Sequence, residues 1–89
     1  MTLVEMWAIR PERRAWLGAI DDRHKAEEAL CTAVLNAASG PETLSNDLRE
    51  QLRTTISDVV ATRRAEAIAY EQYEAKLAEI RAVLRGQLQ

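Results

Sequence analysis

Thirty-nine consecutive residues, from Asp47 to Arg85, contain no Gly, Pro or Asn. Nothing in that stretch tells the backbone to leave a helix, and at 1.5 Å rise per residue it makes a rod of roughly 58 Å. That is too long for an 89-residue chain to cover alone. The mismatch points to a partner rather than to chemistry. A domain this small buries a modest fraction of its surface, so association commonly supplies part of its stability.

The rest of the pattern is helical too. Thr2 and Glu5 have the spacing of a capping box, which predicts a short helix within residues 1–10. Pro11 disfavours helical geometry at Arg10 and suits the first turn of a new helix. From residue 12 to 38 a stripe runs through Trp16, Leu17, Ile20, His24, Glu27, Leu30, Cys31, Val34, Leu35 and Ala38, with a period near 3.5. Ser39-Gly40-Pro41 ends it, with Gly40 suited to a left-handed C-terminal position. A long helix over 42–86 follows, capped by Ser45 or by Asp47 with Glu50 and ended by Gly86. Its stripe reads Leu44, Leu48, Leu52, Ile56, Val59 and Val60, thins to alanines over 61–66, and resumes at Ala67. Tyr70, Tyr73, Leu77, Ile80 and Leu84 then alternate steps of three and four, a coiled-coil seam.

These segments predict an all-α chain, one helical domain over residues 1–89. Its two main helices form an antiparallel hairpin across Gly40-Pro41, because short connections join antiparallel neighbours. A three-helix bundle with a break between Arg63 and Ala69 is the alternative. In the hairpin, the stretch from about Tyr70 to Leu88 is left without intramolecular cover. Tyr70, Tyr73, Leu77, Ile80 and Leu84 are therefore expected to meet a protein partner or a second copy, with Trp7 as a further interface anchor.

Composition narrows the function classes. Hydrophobic residues make up 47% of the chain, but about a third of them are Ala and none is Phe, so the available core is small. Charged residues are 29% with a net charge of −2 and both signs interspersed, which leaves no one-signed field for nucleic acid or a membrane surface. Arg13-Arg14, Arg49 with Arg53, Arg63-Arg64 and Arg81 with Arg85 are interleaved with acids and read as a solvated helix surface, so no sequence-specific nucleic-acid binding is expected. No apolar run approaches a membrane span, and the N-terminus has no basic region of a signal peptide. The single cysteine, Cys31, excludes an internal disulfide and suits a reducing cytoplasm.

Chemistry finds little to work with. His24 is the only histidine; Asp21 and Glu28 share its face, but bundle metal sites need matching carboxylate and histidine sets from several helices. Cys31 has no neighbour in sequence that stabilises a thiolate. Ser39-Gly40-Pro41 lacks the glycine spacing and lysine of a phosphate loop. Neither a catalytic set, a metal nor a cofactor is expected.

Residues Arg63 to Ile80, RRAEAIAYEQYEAKLAEI, resemble the helical segment near the C-terminus of type I restriction enzyme R (motor) subunits. Ala67, Ile68, Tyr70, Glu71, Tyr73, Lys76 and Ile80 fall at matching places, and Leu48 to Val60 resembles the preceding helix. Ala69 stands where that family has a helix-capping Ser, which favours an unbroken helix. Glu74 replaces a large apolar residue. The resemblance covers about half the chain. It implies a non-catalytic docking region, like the one that holds the motor subunit to its methyltransferase core. A free-standing helical regulator or antitoxin-like dimer is the competing expectation. Leu48-Arg49-Glu50 with Arg63-Arg64 also resembles the first helix of all-helical chorismate mutases, but the arginine spacing is off by about a turn.

Overall fold

The computed structural model describes residues 7–40 and 45–88. Two helices account for nearly all of them: α1, Arg10–Ser39, and α2, Asn46–Leu88. They lie antiparallel, since Trp16 meets Tyr73 while Glu27, further along α1, meets Arg63, further back along α2. The molecule is all-α and hairpin-like, measuring 70 × 17 × 14 Å. Its radius of gyration, 19.9 Å, far exceeds the roughly 12 Å of a compact chain of this length.

Local chemistry sets the helix ends. Pro11 sits in the first turn of α1, where its missing N–H removes nothing, and Ile9 precedes it as a turn residue. Of the expected N-terminal helix only Trp7 to Ile9 are described, helical at Trp7 and Ala8; the Thr2/Glu5 cap lies outside the described residues. Gly40 closes α1 in an extended conformation (φ −88°, ψ −171°), not the left-handed one expected of it. Ser39 takes up part of the capping by donating from its hydroxyl to the Leu35 carbonyl at 2.8 Å. Ser45, not Asp47, caps α2, its Oγ accepting from the Leu48 amide at 3.2 Å. The helix then runs unbroken through Arg63 to Ala69, so the three-helix alternative does not form. It also continues through Gly86, a glycine with ordinary negative φ, which merely weakens the last turn instead of ending it.

The inward faces differ from the stripes read in the sequence. On α1 and the turn before it the seam runs through Ile9, Glu12, Trp16, Ala19, Arg23, Ala26, Leu30, Ala33 and Ala37, with Ile20 and Glu27 half-buried beside it. On α2 it runs through Leu48, Leu52, Thr55, Val59, Thr62, Glu66, Ala69, Tyr73, Lys76 and Ile80, with Leu77 beside the last two. Both sets alternate steps of three and four without interruption, the spacing of a coiled-coil seam. The seam is built largely from small and polar residues, whereas Leu17, Val34, Leu35, Ile56 and Val60 stay outside it, 44–65% exposed. Thr55 and Thr62 can face inward because each hydroxyl donates back to its own helix, to Gln51 and Leu52 carbonyls and to Asp58 and Val59 carbonyls respectively. That leaves their methyl groups for the neighbour. The alanine-thinned segment therefore holds the seam through Thr62 and Glu66.

Cover also reaches further along α2 than helix length alone suggests. Ile9 is fully buried and Leu77 is 8% exposed. Tyr73, Ile80 and Leu84 are half-buried. The expectation that everything from Tyr70 onward lies bare is corrected: α1 begins two residues earlier than expected, with Trp7 to Ile9 ahead of it, and its first turns cover α2 as far as Ile80.

Candidate interaction face

Three cross-helix contacts set the register. Trp16 lies between Tyr70 and Tyr73, with ring centroids at 5.0 and 5.2 Å, tilted against the first and stacked on the second. Tyr70 and Tyr73 are 6.5 Å apart, so the three rings form one cluster. Two turns along α1, the Arg23 guanidinium is ion-paired with Glu66 across the seam and with Glu27 on its own helix at 3.2 Å. Glu27 in turn accepts from Arg63 at 3.1 and 3.3 Å, closing a four-residue network between the helices. Arg23 and Glu66 are about three-quarters buried, with side-chain exposures of 23% and 24%. Sliding one helix by a heptad would set Arg23 against Tyr73 or Val59 and leave a covered charge unpaired. The network thus selects this alignment against its nearest competitors.

The same network responds to acid. Hydrogen bonds from Arg63 first, then Arg23, hold the Glu27 carboxyl below its ordinary value. A carboxyl depressed by folding stabilises the fold above its unfolded pKa, about 4.3, and that contribution is lost as pH falls through the lower folded pKa. The wild-type melting temperature should therefore fall more steeply below about pH 4.3 than that of Glu27→Gln. Circular dichroism melts at stepped pH measure this, and coincident acid limbs would remove Glu27 as a contributor.

Glu27 and Arg63 also mark one side of the hairpin, because their pairing bridges its outer edge. Residues seven away lie two turns along on the same side, and residues three or four away lie one turn along. From Glu27 these are Ile20, Val34, His24 and Cys31; from Arg63 they are Ile56, Tyr70, Val60 and Ala67. Leu17, seven before His24, continues the row. This side consequently carries an apolar stretch on each helix around the Glu27–Arg63 pair, and the same spacing places the exposed Arg13, Arg49, Arg53 and Glu74 towards its ends. Leu17, Val34, Ile56, Val60 and Tyr70 are 42–51% exposed on it, and Cys31 is an exposed free thiol within it. The opposite side carries Asp22, Lys25, Thr32 and Asn36 on α1 and Gln51, Thr54, Asp58, Gln72 and Glu79 on α2, with Ile68 its one large exposed apolar residue among those described.

The residues singled out in the sequence divide accordingly. Tyr70 keeps an outward face, and the Glu74 carboxylate one turn on holds its phenol above the ordinary pKa. Tyr73 and Leu77 belong to the hairpin interior. Ile80 and Leu84 are half-buried at its end. Trp7 is 66% exposed and stacks on the Arg10 guanidinium 5.0 Å away, beside a groove lined by Arg10, Pro11, Arg14 and Ala15. That groove offers no nucleophile or general acid–base. Arg53 pairs with Glu50, Arg63 with Glu27 and Glu66 with Arg23, so these side chains do not converge on a common pocket. Among the described residues, no three His, Cys, Asp or Glu side chains gather as metal ligands, and no helix is long and apolar enough to cross a membrane.

Period counting missed the apolar side as a side. It merged Trp16 and Leu30, which face inward, with Leu17, Val34 and Leu35, which face out. The signal that separates them is the small residue every seven positions, Ala19, Ala26 and Ala33 on α1 and Thr55, Thr62 and Ala69 on α2, legible only once both helices are aligned.

Fold and surface define a class: an antiparallel helical hairpin with one polar side and one side whose central stretch is apolar. No protein-family model, curated protein or solved structure matches the chain.

Proposed function

We propose that the chain is a non-catalytic helical protein–protein interaction module. The observation that carries this reading is the apolar side just described, a row on each helix flanking a self-neutralised Glu27–Arg63 pair. Exposed large apolar side chains grouped on one side of a helix pair mark a site of association. The sequence of Arg63 to Ile80 supports the docking region of a type I restriction motor subunit as the nearest functional parallel. Its partner would be the methyltransferase core, in a cytoplasmic setting. The helical-regulator reading uses the same face.

Calorimetric titration against a purified type I methyltransferase core tests the docking reading. Saturable binding is expected, weakened at least tenfold by Val34→Lys with Ile56→Lys and left alone by Ile68→Lys on the polar side. Absence of binding to such a core would sink the restriction parallel. Binding that ignores the paired substitution would move the docking surface elsewhere, with Trp7 the next candidate.

A further inference from the structure

We infer that the apolar side is covered by a second copy of this chain, two hairpins packing face to face as a four-helix bundle. The inference rests on the interaction-module reading and names its occupant. Three observations carry it.

The first is area. A folded monomer of 10.0 kDa exposes about 5,200 Å² by the scaling of surface with mass, and this hairpin exposes 6805 Å². The excess, about 1,600 Å² per copy, is the amount each subunit gives up in an obligate homodimer, where the total runs to roughly 2,000–5,000 Å². The second is the interior. Among the described residues the buried apolar side chains are Ile9, Ala33, Val59, Ala69 and Leu77, and two of these five are alanine. So small a core does not hold a hairpin of this length together on its own, so the cover is needed at folding. A second copy is the partner present whenever the chain is made. The third is charge. A two-fold interface brings each surface against itself. At the middle of this one, Glu27 and Arg63 neutralise each other within a single copy, so the centre of a self-paired face brings no net like charge together.

Sedimentation equilibrium of the full chain between 1 and 100 μM tests the inference. The wild type should sediment at about 20 kDa, twice its 10.0 kDa mass. Val34→Lys with Ile56→Lys should weaken the dimer at least a hundredfold, whereas Ile68→Lys should leave it within about threefold. Should the paired variant lose its helicity, the wild type alone still decides. Cys31 lies on the covered side, so its reaction rate with a disulfide reagent should fall at least tenfold as concentration rises and the face closes. A 10 kDa species at 100 μM with a constant thiol rate overturns the second-copy inference. A dimer indifferent to the paired substitution and reactive at Cys31 overturns it as well. Either result leaves the module reading to the methyltransferase titration, which would then be carried by a monomer or by another surface.

Discussion

Val59→Asp should abolish the cooperative melt of this protein at room temperature. Val59 is 7% exposed, and the alignment of Trp16 with Tyr73 and Arg23 with Glu66, continued one heptad, places it opposite Leu30. A carboxylate there sits in the seam with no cation in register, since the nearby guanidinium of Arg63 is already committed to Glu27 on the outer edge. Burying an unpaired charge is among the few single changes that cost about 4 kcal/mol or more. That is most of the stability of a small domain. Far-UV circular dichroism at 222 nm should show a large loss of helix. The same substitution at Ile68, a comparably apolar residue 56% exposed on the polar side, should change stability by no more than about 0.5 kcal/mol. Native helicity in Val59→Asp would place the seam elsewhere on α2.

Trp16→Ala should be the costliest truncation in α1, at about 3 kcal/mol. The indole touches two residues of the other helix at once, stacked on Tyr73 and tilted against Tyr70. Its removal strips cover from both rings, and Ala19, Ala26 and Ala33, at every second inward position beyond it, supply little side chain to compensate. Urea unfolding followed by circular dichroism reads the loss, and Trp16→Phe should restore about half of it by keeping an aromatic contact. A cost below about 1 kcal/mol for Trp16→Ala would mean that the aromatic cluster contributes little beyond the flanking contacts.

Both expectations depend on which stripe faces inward, and that is where sequence and structure part. The helices, their antiparallel hairpin and the approximate breaks were legible. A run without Gly, Pro or Asn has no alternative backbone, Pro11 admits only the first turn of a helix, and Gly40-Pro41 admits only a stop. These are local constraints, decided within a few residues, and one chain read in isolation contains them. Ser45 and Asp47 were equivalent as caps by type, and only the hydroxyl in place over the Leu48 amide distinguishes them.

The inward face is not a local property. Each helix carries two overlapping stripes, one small and polar, one large and apolar, and hydrophobicity favours the second. Trp16, Arg23, Ala33, Thr62, Glu66 and Ala69 win the interior because each has a fitting neighbour on the other helix, or satisfies its own polar group so that a neighbour can approach. Leu17, Val34, Ile56 and Val60 lie outside for the same reason: none has such a counterpart within the hairpin. The sequence by itself determined that this chain is two helices folded back on one another. Tertiary structure alone decided which side each helix turns inward, because that choice is made by complementarity between residues some thirty to sixty positions apart, and so left the apolar side facing out.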